Sequence, residues 1–474
     1  MQNSKTSKSK KNKARNRRSA GRANHAHPLR AFLLTLTLML VCGFLILYGI
    51  ALVKFTASAR NMTLFELADY DLQNKVGKGN NDKNSGDESV ATSFFTELIP
   101  QTVKETIVEK AIEKAAEEKI PGRFDDMLMN PEQMRADNIF AKEAGDEDKI
   151  VLAFGGDILF DQSYSVMNMA ISSGRDVVGS FSPDLLEYMR HVDVLTLNNE
   201  FPYSNGGSPT PEKQFTFRAR PEYAEKLFDI GTDLVTLANN HMFDYGETAL
   251  LDTLDTLDSI SMPHIGAGRN LGEAARPVYF IVNDVKIGLI NATEIERTEP
   301  ADTRGATEDR SGVFRCLNDK KLLEEIAKMK ENCDFSIVCI HWGTENETYP
   351  DWLQLEQAPE IANAGADLII GAHPHCLQPI GYKGDTPVVY SLGNFWFNSK
   401  TIDTGLFEVT LGVDRNEAGN AMGAHLESMR FVPCLQQGYQ TKLLQDAEKE
   451  RVLNFMRSIS SEAVIDAEGY VTRK

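Results

Sequence analysis

A divalent metal needs lone pairs brought to one point, and this sequence offers suitable donors at a repeated position. Five short apolar runs each end in oxygen or nitrogen donors. Residues 150–154 lead into Gly155-Gly156-Asp157, and 192–197 into Asn198-Asn199-Glu200. Residues 234–237 lead into Ala238-Asn239-Asn240-His241, 335–340 into His341-Trp342-Gly343, and 367–370 into Gly371-Ala372-His373-Pro374-His375. Carboxylate, amide oxygen and imidazole suit divalent Mn, Zn, Fe or Mg. Two such ions held about 4 Å apart can clamp a phosphoryl or carbonyl group. A single His after a strand is an ordinary loop residue, and Asp157 alone would serve equally as a helix cap. The recurrence of donors at all five ends is what points to a site for one or two metal ions. It takes in His241, His341, His373 and His375 of the nine histidines.

Donors at strand ends converge only if the strands are neighbours whose carboxyl ends share an edge. The runs are rich in Val, Ile and Leu, and helical stretches at 183–190, 221–230, 247–259, 320–331 and 353–364 alternate with them. That alternation predicts an α/β layered domain with its sheet covered on both faces. Runs at 278–282, 285–290, 387–391 and 406–411 read as antiparallel additions, the first two joined at Asn283-Asp284, so the sheet is expected to be mixed. A last helix is expected at about 441–459.

The charge is unevenly spread. Residues 1–30 hold ten Lys or Arg and no acid, which leaves 40 basic against 68 acidic residues in the remainder, a formal −28. So acidic a body excludes nucleic acid as a partner, because phosphate-backbone affinity comes from Lys and Arg. Residues 31–53 carry no charge and are long enough to cross a hydrocarbon core of about 30 Å. With the basic tail in front, the N-terminus is expected in the cytoplasm and everything after Lys54 outside, in a single-pass cell-membrane protein. Residues 57–59 (Ala-Ser-Ala) leave a cleaved signal peptide as the rival reading. Residues 54–148 read as an extracellular stalk, with a polar, poorly burying stretch at 78–93 and an amphipathic helix at 101–119. The main domain is expected over 149–435 and a helical extension over 436–474. Cys42 lies in the apolar run, and the other five cysteines show no paired metal spacing, so free thiols are expected.

At its donor segments the sequence resembles the CapA family of bacterial capsule and poly-γ-glutamate biosynthesis proteins. The resemblance is carried by Gly156-Asp157-Ile158-Leu159-Phe160-Asp161, Asn198-Asn199-Glu200-Phe201-Pro202, Ala238-Asn239-Asn240-His241 with Asp244-Tyr245-Gly246, His341-Trp342-Gly343-Thr344-Glu345, Gly371-Ala372-His373-Pro374-His375 and Tyr390-Ser391-Leu392-Gly393-Asn394-Phe395. It implies a calcineurin-like metallophosphoesterase fold, two mixed β-sheets in a sandwich flanked by helices. It also implies Glu200 as a bridging carboxylate, with Asn240, His341 and His373 completing one metal site and Asp157 and His375 sharing Glu200 in a second. His241 takes the place of the histidine that protonates or stabilises a leaving group. The sequence departs from the phosphoesterase pattern at Leu159, where a His is usual, and at Glu200, where the bridge is usually Asp. One site thus has four donors and the other three, with Asp161 or Asn199 open to fill the gap.

Arg218 and Arg220, after a strand expected at 214–217, are candidates for an anionic group of the substrate, against plain surface charge. Trp342 and Trp396 could wall the cleft or fill the core, and Asn394 could orient a loop or serve a turn. Two functions follow. One is a metal-dependent hydrolase-type site acting on an extracellular anionic polymer or its precursor. The other is a non-catalytic metal-binding scaffold in a membrane polymer-synthase complex.

Overall fold

The computed structural model describes residues 122–296 and 303–474. The basic tail, the apolar run and the amphipathic stretch lie outside them. Among the described residues no helix is long and apolar enough to cross a membrane.

Two mixed sheets form the body. One has seven strands in the spatial order Ile139–Lys142, Val278–Val282, Val285–Thr293, Phe335–His341, Leu368–Ala372, Thr386–Val389 and Ile380–Lys383. The other runs Gln440–Leu443, Ala421–Gln437, Ile402–Arg415, Lys149–Ile158, Val194–Asn199, Leu234–Thr236 and His264–Ile265, with Asn394–Trp396 also paired to Lys149–Ile158. In the first sheet the pairs from Val285–Thr293 to Thr386–Val389 are parallel and flanked by antiparallel pairs, with Ile139–Lys142 added in parallel at one edge. The second sheet is antiparallel from Gln440–Leu443 to Lys149–Ile158 and parallel from there to His264–Ile265.

Side-chain alternation along the strands builds the layers. Ile150, Leu152 and Phe154 of one sheet pack with Ile287, Leu289, Phe335 and Ile337 of the other in a single core. The opposite faces are covered by helices. Ser165–Ser172, Pro183–His191 and Gly246–Ser259 lie on one sheet, and Lys320–Glu331 and Trp352–Asn363 on the other. Lys320–Glu331 shows how the pattern works: Leu322, Ile326 and Met329 recur on one buried stripe, and charges occupy the rest apart from Leu323 and Ala327. Trp352–Asn363 begins with a capping box in which Asp351 and Gln354 bind each other's backbone N–H.

Four strands begin in the same way. Asp193, Asp233, Asp334 and Asp367 each stand just before a strand and clamp one residue of its neighbour. The Asp N–H donates to that residue's carbonyl at 2.7–2.9 Å. The Asp carboxylate accepts the same residue's N–H at 2.7 Å from Val151 and 2.8 Å from Leu195, Lys286 and Ser336. This occurs twice in each sheet, always at the amino end.

The turn expected between the first antiparallel pair forms as read: Asn283 and Asp284 both take positive φ, 52° and 63°, as a two-residue hairpin requires. Other expectations need correcting. Residues 139–142 pair in parallel with Val278–Val282, so part of the presumed stalk belongs to the domain. The chain is fastened there too: the Asp284 carboxylate accepts the N–H groups of Arg123 and Phe124, and the Arg123 guanidinium grips Asp334 at 2.9 and 3.0 Å. The helix expected at 221–230 breaks into a 3-10 turn, Pro221–Tyr223, and a short helix, Lys226–Asp229. The last helix starts at Asp446, because residues 440–443 form an edge strand instead. It buries Val452, Leu453 and Met456 in the core between the sheets. The presumed extension is thus part of the domain, and it closes with a hairpin of Ala463–Ile465 and Val471–Arg473. The five described cysteines are free.

Candidate metal centre

The donors meet at the carboxyl edge of the sandwich, and neither sheet holds them all. Asp157, Glu200 and Asn240 come from one sheet, and His341, His373 and His375 from the other. Strand register sets their level: Asp157 is opposite Asn198 and Asn394, and His341 opposite Ala372. Close backbone approach is essential here. A Cβ on Gly156 would stand 1.7 Å from the Gly393 carbonyl oxygen, which accepts the Asp157 N–H at 3.1 Å. His373 and His375 hold φ of 99° and 59°. Such backbone costs on the order of 1–3 kcal/mol per residue and is concentrated at functional loops.

Two groups of donors each lie within 4.8 Å: Glu200, His341 and His373; and Asp157, Glu200 and His375. In the first, His341 Nε2 is 2.9 Å from Asn240 Oδ1 and 3.0 Å from His373 Nδ1. In the second, Asp157 Oδ2 and Asn394 Oδ1 hold His375 Nδ1 at 3.0 and 2.9 Å, which turns its Nε2 toward Glu200 Oε1 at 3.7 Å. Asn198 braces both groups. Its amide donates to Asp157 Oδ1 at 2.7 Å and Glu200 Oε2 at 3.2 Å, while its Oδ1 accepts from Thr236.

Glu200 and Asp157 are fully buried. Glu200 Oε1 has no hydrogen-bond partner, yet it faces two imidazoles, His241 Nε2 and His375 Nε2, each at 3.7 Å. Burial, and then the neighbouring Asp157, push the Glu200 carboxyl well above its ordinary range. Burial lowers His341 and His373 well below theirs, helped at His341 by His373 and at His373 by His375. His375 is raised, because the hydrogen bond and charge of Asp157 overcome its burial. Two buried carboxylates beside an amide oxygen and four imidazoles, three of which (His241, His341 and His373) are held toward the neutral form, are short of positive charge. A divalent cation supplies that charge and prefers this donor set, so the residues fit the group.

His241 is held differently. Its Nδ1–H donates to Asp244 Oδ2 at 2.7 Å, and its Nε2 faces the donors. Asp244 also takes the Phe217 N–H at 2.7 Å and pairs with Lys213 at 2.6 Å. Burial lowers the His241 imidazole, against the pull of Asp244. The Phe217 ring lies 4.2 Å from His241 and the Phe397 ring 5.1 Å from His375.

The structure therefore brings together every metal donor named from the sequence, with His241 beside them. Of the two proposed gap-fillers, Asp161 is spent on Ser163 and the Arg218 N–H, while Asn199 donates its amide to the Phe201 carbonyl and keeps a buried Oδ1 without a hydrogen-bond partner. Leu159 is core. No strand forms at 214–217, since Phe217 and Arg218 give their N–H groups to Asp244 and Asp161. The Arg218 guanidinium lies 4.1 Å from the Tyr245 ring and donates to the Gly206 carbonyl; Arg220 is exposed and pairs with Glu222. Trp342 and Trp396 are core residues with their N–H groups bonded to backbone carbonyls. Asn394 proves to orient His375. Sequence reasoning missed the roles of Asn198, Asp244 and Lys213. The first two stood inside quoted segments, and the His241–Asp244 spacing of three was the available signal.

Residues 151–399 match the family model described as Bacterial capsule synthesis protein PGA_cap. The capsule biosynthesis protein CapA of Bacillus anthracis is 28% identical over 285 residues, which cover 56% of this chain and 65% of that protein. The PGA biosynthesis protein CapA of Bacillus subtilis (strain 168) is 29% identical over 289 residues, covering 57% of this chain and 73% of that one. The chain thus spans just under two thirds of the first relative. Among solved structures, a 5'-nucleotidase from Candida albicans SC5314 aligns at a TM-score of 0.34 and 10% identity, covering 62% of this chain and 53% of that one.

Proposed function

This chain belongs to the bacterial capsule synthesis protein family PGA_cap, and from that membership we propose a membrane-anchored component of capsule or poly-γ-glutamate biosynthesis or export that carries a metal-dependent hydrolase-type centre. The carrying observation is Glu200: a fully buried carboxylate whose Oε1 has no hydrogen-bond partner and faces imidazole nitrogens from two strand ends.

Glu200, Asn240, His341 and His373 would hold one divalent ion, and Asp157, Glu200 and His375 a second. Bound there, the metal would supply Lewis-acid polarisation of a phosphoryl or carbonyl group. The chain's own residues do the rest. Asp244 accepts the Nδ1 proton of His241 and fixes the ring, which leaves Nε2 to hold a proton for a leaving group. Asn198 keeps both carboxylates aimed at the centre. Phe217 and Phe397 pack their rings beside the two outer imidazoles, His241 and His375. The basic tail and apolar run at 1–53 support an anchor with the domain outside.

A non-catalytic metal-binding scaffold is the second reading, favoured by the second donor group, which has one side chain fewer than the first. Metal content of the purified full-length chain, with hydrolysis of model phosphodiesters and γ-glutamyl peptides, tests both. At least one equivalent of metal is expected, lost together with activity in Glu200→Ala and His373→Ala. Bound metal without hydrolysis would leave the scaffold. No bound metal, with polymer production unchanged in both variants, would end the metal reading.

A further inference from the structure

Lys213 belongs to none of the segments that carry the family resemblance, yet its side chain ends inside the wall of the metal centre. It lies within residues 204–220, which contain no helix and no strand beyond the single bridge of Ala219 to Tyr203. Its side chain is 4% exposed, and that of its partner Asp244 is fully buried. The ammonium donates to Asp244 Oδ1 at 2.6 Å and to the main-chain carbonyl of Asn240. Asn240 supplies the amide oxygen of the first donor group. The other oxygen of Asp244 takes the His241 Nδ1–H and the Phe217 N–H, each at 2.7 Å. Nearby, the Thr210 N–H donates to the Asp244 carbonyl at 2.7 Å. Residues 204–220 are therefore stitched to the loop after Leu234–Thr236, and Lys213 joins the stitching to the chemistry. A buried ammonium is costly unless several acceptors surround it, and here two of them lead straight to the donor set.

We infer that Lys213 is a positioning residue of the metal centre: it fixes the Asn240 main chain and the Asp244 carboxylate relative to each other, so that Asn240 Oδ1 and His241 Nε2 are presented to one point. The inference rests on the metal centre proposed above. Removing the ammonium frees the Asn240 carbonyl and leaves Asp244 Oδ1 without its cation, so the loop loses the constraint that aims both side chains. Outer partners of metal ligands set affinity in this way, by about 10–100-fold.

The test titrates the metal-free full-length chain with Co2+, whose visible absorption reports the number and geometry of its ligands. Lys213→Met, Lys213→Gln and Lys213→Arg are compared with wild type. Lys142→Met serves as a control, since it breaks the ion pair with Asp233 at the amino end of a strand. Lys213→Met and Lys213→Gln are expected to weaken Co2+ binding about 10–100-fold and to shift its absorption, and Lys213→Arg to recover part of both. Lys142→Met should lower the thermal midpoint and leave the Co2+ affinity and spectrum unchanged. If Lys213→Met does not fold, Lys213→Gln and Lys213→Arg decide. Wild-type affinity and spectrum in Lys213→Gln, or equal weakening in Lys142→Met, would overturn the role of Lys213 alone. A wild-type chain that binds no Co2+ would overturn the metal centre and this inference with it.

Discussion

At the scale of single residues, the centre depends on side chains that never touch the ion. Asn198 is the clearest case, because one amide group braces both carboxylates. Asn198→Leu is similar in size and cannot donate, so it should lower metal affinity by about 10–100-fold, read by competition with a chelator. Protonation is the second lever. In the metal-free chain His341, His373 and His241 are held below their ordinary 6.5, first by burial. The unfolded chain therefore binds more protons at these groups below about pH 6.5, and their stabilising contribution is lost as pH falls. Glu200 has the opposite sign. Its folded carboxyl is raised, so its contribution is present at low pH and is lost as pH rises above 4.5. Between pH 5.0 and 6.5 the lowered His241, His264, His341 and His373 act against the raised Glu200, Glu294 and His375. Metal-free protein should thus unfold at lower denaturant at pH 5.0 than at 6.5; a midpoint that rises on acidification would contradict this assignment.

At the scale of elements, the donors are level because the strands are in register, and the Asp clamps set that register from the far end. Asp367 takes the Ser336 N–H and the Lys330 ammonium. Asp367→Ala leaves the amide without an acceptor and should cost about 1–3 kcal/mol by denaturant unfolding, while full metal stoichiometry is kept at saturating metal. Asp385→Ala, which removes the fully exposed partner of Arg473, should not move the midpoint. Much of this was legible. Five apolar runs ending in donors forecast the site, because parallel strands must release their loops on one side. The rest was hidden for physical reasons. Residues 139–142 are a short edge strand ending in Lys142, too brief for periodicity to register. Residues 214–217 have the composition of a strand, but carboxylates from elsewhere claim the Phe217 and Arg218 amides. Lys213 acts through two distant acceptors in a segment with no repeat, and no local spacing could have marked it.

At the scale of the whole described body, the point where the chain enters has a mechanical meaning. Residues 123 and 124 are gripped by Asp284 and Asp334 at the amino ends of Val285–Thr293 and Phe335–His341, and the donors lie past the carboxyl ends. For a seven-residue strand that separation is about 20 Å. Tension on the preceding chain is therefore taken by the two carboxylate grips and the hydrogen-bond ladder behind them before it reaches any donor. A chain immobilised through its N-terminal side should bind Co2+ as tightly as the free protein, and Arg123→Ala should lower the force at which the domain yields without altering that affinity. A pulling experiment in which metal is released before the grip gives way would show that load does pass through the centre.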